Sequence, residues 1–391
     1  MKIIKNKEEA EVTVRKTKEG KYIDLSKNSL VIRGENRLND EQLMGLFEKL
    51  RLRFTLTPQC NLWCFFCSNE GSNYTDKQHR SADIEYVIKL SEMLLEKTPL
   101  KSIDLSGGEP TLHPDFMKRS FKLCKWTKKY PNTRFSLHSN GVTLDPEIID
   151  EIKDNFSRIG FSIHSVNFKT WNRITNLNQR FSDNVQMEKF KRMIRNLKYL
   201  SKQNIGERVF LKAVIIKGIN DTNKELVDFL ETCKKYNFHP KFLEFEPQFK
   251  EQNKYVVGRK ELFEKLEKIE CKFEKDTPRH NDPRTYIPGV NFKYKNVPLG
   301  LHSIFDCGSE AACKSCYDFL CMFVKPHNHR KGLYLKPCSV LDTRIDLTHV
   351  IDQGDYKQLF NLFRLSREYL MLAPGLGVSD WKKEEDYNSE K

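Results

Sequence analysis

Three cysteines in the run Thr57-Pro58-Gln59-Cys60-Asn61-Leu62-Trp63-Cys64-Phe65-Phe66-Cys67 fall at CxxxCxxC spacing, directly after a strand-like segment, Arg53 to Thr57. Thiolates are the usual ligands of iron–sulfur clusters, and three of them on one cubane leave the fourth iron open to a small molecule. The spacing therefore predicts a reactive cluster rather than a scaffold. A structural zinc site is the alternative, but such sites tend to draw on two CxxC pairs and to close the sphere with a fourth ligand. A second group gathers five of the eleven cysteines. Cys313-Lys314-Ser315-Cys316 is a CxxC, Cys338 ends the hairpin-like run Gly332-Leu333-Tyr334-Leu335-Lys336-Pro337, and Cys307 and Cys321 lie close by in sequence. This is a second metal candidate, for an iron–sulfur cluster or, with His327 or His329 joining, for zinc.

The elements that must position these thiols follow from the hydrophobic pattern. From residue 53 to about 268, short strand-like runs alternate with helical ones, as in βα units around a parallel sheet. The expected strands are Arg53 to Thr57, Ser102 to Leu105, Arg134 to Leu137, Ile159 to His164, Val209 to Ile216 and Lys241 to Phe245. Helical periodicity follows each, centred near Tyr86 to Leu95, Phe116 to Lys128, Pro146 to Ile152, Met187 to Leu200, Asn223 to Lys235 and Lys260 to Ile269. Six such units do not close an eight-unit barrel. The expected fold class is α/β, a partial (βα)6 TIM-like barrel with its mouth at the carboxyl ends of the strands.

Four regions are expected: an N-terminal extension over 1–50, the partial barrel over 51–270, a Cys-rich auxiliary domain over 271–345, and a C-terminal helix with a charged tail over 346–391. In the extension, Lys21 to Leu25 and Ser29 to Ile32 suggest a hairpin around Lys27-Asn28, followed by a helix from Asp40. Tyr356 to Met371 carries apolar residues at helical spacing.

Composition narrows the setting of this chemistry. The 391-residue chain has no apolar run near the ~20 residues of a membrane span and opens Met1-Lys2-Ile3-Ile4-Lys5 without a secretory core, so a cytoplasmic protein with reduced thiols is expected. Its net charge of +14 is spread over almost every expected helix rather than gathered in one tract, which reads as solvated helix faces and speaks against a nucleic-acid partner.

Strand two runs into Ser106-Gly107-Gly108-Glu109-Pro110, where two glycines permit close backbone approach and Glu109 supplies an acceptor. Further along come Ser139-Asn140-Gly141, Phe161-Ser162-Ile163-His164-Ser165, Lys212-Ala213-Val214-Ile215-Ile216-Lys217-Gly218-Ile219-Asn220-Asp221 and Phe242-Leu243-Glu244-Phe245-Glu246-Pro247. In this order, behind CxxxCxxC, the segments resemble the radical S-adenosylmethionine (radical SAM) superfamily, in its GTP 3',8-cyclase-like branch, over about residues 51 to 345. The resemblance implies that Cys60, Cys64 and Cys67 hold a 4Fe–4S cluster whose open iron chelates S-adenosylmethionine, which is cleaved reductively to a 5'-deoxyadenosyl radical. It implies that Phe66 packs near adenine, that Gly107, Gly108 and Glu109 receive the methionine amine, and that Ser139 and Asn140 meet the ribose region. Ser162 would take the carboxylate or ribose, and Val214 and Ile216 would line the adenine pocket. Residue chemistry alone also allows Val214 and Ile216 to be core, and Asn220-Asp221 to be turn residues and a helix cap. An electron donor such as flavodoxin or ferredoxin is implied, together with a peptide or small-molecule substrate.

By the same resemblance Cys313, Cys316 and Cys338 hold an auxiliary 4Fe–4S cluster, with Cys307 or Cys321 as an additional ligand. The match departs from the cyclases in two places. Tyr317-Asp318-Phe319-Leu320-Cys321-Met322 stands where the resemblance implies an arginine-rich, phosphate-clamping strand, and the chain ends Asn388-Ser389-Glu390-Lys391 rather than in diglycine. GTP is therefore disfavoured as substrate. A Cys313/Cys316/Cys338 triple alanine variant should lose about half of the iron and sulfide bound by the wild type; equal iron in both would mean that these thiols hold no cluster.

Overall fold

The computed structural model describes residues 14–17, 20–23, 38–67, 80–245, 247, 250–275, 290–302, 321–327, 330–337 and 344–372. Its strands are, in chain order, β1 (Val14–Thr17), β2 (Gly20–Ile23), β3 (Arg51–Thr55), β4 (Ser102–Ser106), β5 (Arg134–Ser139), β6 (Arg158–Ser162) and β7 (Val209–Ile215). They continue with β8 (His239–Glu244), β9 (Cys271–Lys275), β10 (Val290–Tyr294), β11 (Val297–His302), β12 (Cys321–Pro326), β13 (Leu333–Lys336) and β14 (Arg344–Asp346). All six expected barrel strands are present as β3 to β8, side by side in chain order. The fold is the α/β partial barrel.

The chain divides into two compact units: residues 1–54, 82–103 and 306–391 in one, residues 55–81 and 104–305 in the other. In the first, β1 and β2 form an antiparallel hairpin, β14 joins β2 in parallel, and β13 and β12 lead to β3, which pairs in parallel with β12. Of the expected N-terminal hairpin, Lys21 to Leu25 overlaps β2, whose partner is Val14–Thr17; Ser29 to Ile32 lies outside the described residues. The helix expected from Asp40 spans Asp40–Lys49, closed at its start by a capping box between Asn39 and Gln42. Phe47 on that helix is fully buried against Phe360 and Phe363 of the helix Tyr356–Leu372.

In the second unit β5, β6, β7 and β8 pair in parallel, β11 extends the sheet in parallel beyond β8, and β10 and β9 close it antiparallel. Helices between the strands start at caps that the sequence supplies: Asp145 accepts from the Ile148 N–H ahead of Pro146, and Thr222 from Glu225 N–H. Each strand alternates its side chains between two faces. Leu105, Phe135, Leu137, Ile159, Phe161, Leu211, Ala213, Ile215 and Phe242 are buried on the outer face, where Phe242 meets Phe229 of the helix Asn223–Tyr236. The opposite, lumenal face carries Asp104, Ser106, Ser136, His138, Gly160, Ser162, Lys212 and Lys241. A barrel sealed outside by apolar packing thus presents a polar interior, which leaves binding chemistry to its inner wall.

Candidate active site

The cysteine loop is pinned from three sides by backbone hydrogen bonds. Gly108 N–H donates to Thr57 O at 2.7 Å and Glu109 N–H to Gln59 O at 2.7 Å, which stacks the Gly-Gly-Glu-Pro turn on the start of the loop. Trp63 N–H donates to Thr175 O at 2.8 Å and Phe65 N–H to Ile174 O at 3.3 Å, tying the middle of the loop to the end of the helix Phe168–Thr175. Cys67 N–H closes the last turn on Cys64 O at 3.1 Å. The two glycines have a structural reason within the protein itself. A Cβ on Gly108 would stand 2.3 Å from Gln59 O, and one on Gly107 2.4 Å from Thr57 O.

The three thiols share one electrostatic environment. Burial pushes the Cys60 thiol up to about 12, with smaller contributions from Glu109 and Cys67; burial, with Cys60 and Cys67 beside it, also holds Cys64 well above the ordinary thiol value. Cys60 and Cys64, so raised, stay protonated until a cation stabilises their thiolates, and metal binding releases those protons. Among the described residues no three His, Cys, Asp or Glu side chains converge on a single-ion site. A cubane ligates each cysteine through a different iron and needs no such convergence, so the donor set fits a cluster.

Glu109 joins the ends of three strands. Its fully buried carboxylate accepts from Thr111 N–H at 3.1 Å, Thr111 Oγ1 at 2.6 Å and Ser139 Oγ at 2.8 Å through Oε1, and from Asn140 N–H at 2.6 Å through Oε2. Burial pushes this carboxyl up against four hydrogen bonds that favour its charged form. Asn140 continues the link: its Nδ2 donates to Asn61 Oδ1 at 2.7 Å and lies 3.8 Å from Cys60 Sγ. Glu109, Ser139 and Asn140, expected to meet the cofactor, first hold one another and the cysteine loop in place. Among the described residues Oε2 accepts the one bond from Asn140 N–H, which keeps acceptor capacity for a ligand ammonium.

Phe66, Val214 and Ile216 do come together. Val214 and Ile216 belong to a buried cluster with Ile174 and Phe245, and Phe65, Phe66 and Tyr255 pack against it. The cluster is apolar and its rings meet edge to face, with Phe65 against Phe66 at 74° and against Tyr255 at 61°; Ile216 is fully buried within it. Ser162 sits half-buried at the end of β6, opposite Lys212 in register. Asn220 is no helix cap, since Thr222 takes that place; its Nδ2 donates to His164 O at 2.9 Å and Val214 O at 2.8 Å, locking the ends of β6 and β7. His164 leaves β6 at φ 60°, in the left-handed region, with its ring on Phe66 and its Nδ1 accepting from Val214 N–H at 3.2 Å. Burial, aided by the Lys212 ammonium, holds its pKa down at about 3, so it is neutral.

No motif marks the third feature. On the lumenal wall His138 Nε2 lies 3.2 Å from the Asp104 carboxylate, and the Lys212 ammonium donates to His138 Nδ1. The four strands β4 to β7 contribute, because Gly160 on β6 clears the way: a Cβ there would stand 2.4 Å from Lys212 Nζ. The only trace in sequence is a glycine amid alternating residues. Of the second cysteine group, Cys307, Cys313, Cys316 and Cys338 lie outside the described residues, as does His329; Cys321 begins β12, half-buried and in register with Arg51. His327 is engaged with Asp346 Oδ1 at 3.1 Å.

Two measurements check this geometry. Gly108→Ala forces the turn off the cysteine loop and should lower stability by about 1–3 kcal/mol and reduce iron uptake; an unchanged denaturation midpoint would mean the turn is not packed as described. His164, neutral in the fold, should destabilise it on acidification. Its folded pKa lies below the unfolded one, so the unfolded state binds the extra proton first, and stability is complete above about pH 6.5 and lost as pH falls toward 3. Between pH 6.5 and 5 this loss should be about 2 kcal/mol, and His164→Asn, which tolerates the positive φ, should abolish it. Parallel urea titrations of both proteins decide; identical pH dependence would contradict the buried neutral ring.

The comparisons with known proteins agree with this geometry. Residues 54–231 match the profile of the Radical SAM superfamily. The GTP 3',8-cyclase of Synechocystis sp. is 26% identical over 269 residues, 68% of this chain and 74% of that protein. The GTP 3',8-cyclase of Nautilia profundicola is 24% identical over 339 residues, 85% of this chain and 93% of that one. Among solved structures, Streptococcus suis SuiB bound to S-adenosylmethionine is similar at a TM-score of 0.52 with 13% identity, covering 80% of this chain and 67% of that chain, a likeness of fold. Residues 54–231 are thus a radical SAM domain, and the enzymes of the superfamily that carries this domain work with a 4Fe–4S cluster and S-adenosylmethionine.

Proposed function

We propose that Cys60, Cys64 and Cys67 hold the open-iron 4Fe–4S cluster, and that the enzyme acts on a peptide or small metabolite other than GTP. One observation carries the reading: the cysteine loop, the Gly107-Gly108-Glu109 turn, the Ser139-Asn140 strand end and the Phe66/Val214/Ile216 patch gather at the carboxyl ends of the strands. When bound, the cluster and S-adenosylmethionine supply a 5'-deoxyadenosyl radical that abstracts hydrogen from the substrate. The chain's own residues orient that chemistry. Glu109 receives the methionine amine with its Oε2 while its Oε1 keeps Ser139 fixed at the ribose end. Ser162 faces the carboxylate or ribose, and the apolar patch of Phe66, Val214 and Ile216 holds adenine and keeps water from the reacting carbon. Reduction falls to a flavodoxin or ferredoxin, and Cys313, Cys316 and Cys338 hold an auxiliary 4Fe–4S cluster.

A second reading, divergent GTP 3',8-cyclase activity, is favoured by the names of the relatives. The sequence Tyr317-Asp318-Phe319-Leu320-Cys321-Met322, which lacks arginine, weighs against it. Anaerobically reconstituted, dithionite-reduced protein should convert S-adenosylmethionine to 5'-deoxyadenosine and methionine, and Cys64→Ala should not. No 5'-deoxyadenosine from fully iron-loaded wild type would remove the reading, and a 3',8-cyclised product formed from added GTP would put the second in its place.

A further inference from the structure

On the side of the cysteine loop that faces the helix Asp183–Ser201 stands an ammonium whose partners are not those of an ordinary surface lysine. Lys189 is half-buried on that helix, and its Nζ donates to Asn61 O at 2.7 Å. The same ammonium lies over the Phe181 ring, 3.3 Å from its centroid. Among the described residues Lys189 forms no ion pair. Burial lowers its pKa to about 8, with Cys60 acting in the opposite direction, so the group is a cation at neutral pH. Lys191, two residues further on, is a contrast: it is exposed and pairs with Glu188 at 2.9 Å.

Asn61 directly follows the first cysteine of the loop and is held at both ends. Asn140 Nδ2 donates to its Oδ1 at 2.7 Å and lies 3.8 Å from Cys60 Sγ, while Leu62 N–H donates to Cys60 Sγ at 3.5 Å. Lys189 completes this set of donors around the Cys60 end of the loop, and it is the member that brings a charge. A neutral donor or a water would satisfy the Asn61 carbonyl equally well. A half-buried ammonium instead costs desolvation, which a carbonyl and a ring face offset only in part. Cys60, one residue from that carbonyl, is the anionic partner once its thiolate ligates a cluster. Net charge and hydrogen bonding around a cluster set its potential. Reduction adds one negative charge, so a cation held at the loop favours the reduced form. Arg180 also stands at the loop, 4.0 Å from the Trp63 ring centroid, but it is exposed, and water and salt screen its charge. The half-buried Lys189 is screened less.

We propose that Lys189 raises the reduction potential of the 4Fe–4S cluster, its ammonium being anchored on Asn61 O beside Cys60 and stabilising the reduced form. This rests on the proposed ligation by Cys60, Cys64 and Cys67, and it makes Lys189 a positioning residue for the electron-accepting step, apart from the residues assigned to S-adenosylmethionine.

An anaerobic redox titration of the iron-reconstituted full chain at pH 7, without S-adenosylmethionine and followed by electron paramagnetic resonance, reads the potential of the signal that Cys64→Ala removes. Lys189→Met keeps the length of the side chain without its charge. At the potential that half-reduces the wild type, the ratio of reduced to oxidised cluster in this variant should be about tenfold lower, a shift of about 59 mV to the negative side. Lys189→Arg, which keeps the charge, should stay close to the wild type, and Lys191→Met on the exposed surface should leave the potential where it was. Should Lys189→Met fail to retain iron and native circular dichroism, Lys189→Gln, which keeps a donor without charge, carries the same comparison. Equal potentials in the wild type and the neutral variant, or the same negative shift in Lys189→Arg, overturns the proposal. A wild type from which Cys64→Ala removes no signal counts instead against the cluster ligation itself, and the proposal falls with it.

Discussion

The buried carboxylate of Glu109 is the interaction around which this site is organised. With no exposure to water it depends on its hydrogen bonds, and those come from the turn that carries it and from Ser139 and Asn140 at the end of β5. An ionised group so placed is costly unless each oxygen is satisfied. The same turn lies on the backbone of Thr57 and Gln59, so a single carboxylate fixes the relative positions of β4, β5 and the cysteine loop. Whatever the loop ligates, its first cysteine is held by Asn140, which is held by Glu109. The glycines at 107 and 108 serve the same end, since side chains there would separate the turn from the loop.

The barrel divides its work between two faces. Outside, aliphatic and aromatic residues of every strand are covered by the intervening helices and contribute the bulk of the burial. Inside, polar residues form layers. At the carboxyl ends, hydrogen-bonding groups gather over β4 and β5 and an apolar cluster over β7 and β8. Lys212, level with Ser162, reaches back across Gly160 to His138, which in turn meets Asp104.

The ends of the strands are also where the backbone is least regular. His164 adopts a positive φ immediately beyond β6, and Asn220 donates to the carbonyls of His164 and Val214 and so holds that irregular exit against β7. A neutral imidazole on Phe66 results, next to the cysteine loop. The tertiary contacts over-determine this conformation, as is usual where a strained residue serves a site.

By itself the sequence determined the order of the βα units, the face of each strand that is apolar, and the cysteine spacing, because all three depend on local periodicity and on residue chemistry. Asp145 and Thr222 cap their helices as short-range signals should, and Cys60, Cys64 and Cys67 share one loop and so share one environment. Glu109 was legible as an acceptor, but its three-strand role was not, since Ser139 and Asn140 reach it only when parallel strands bring residues thirty positions apart side by side. Likewise only the folded chain places Phe66 on Val214 and Ile216, and only register across four strands joins Asp104, His138 and Lys212 over Gly160. These contacts are long-range pairings between strands, and no local pattern encodes which partner a polar residue will meet.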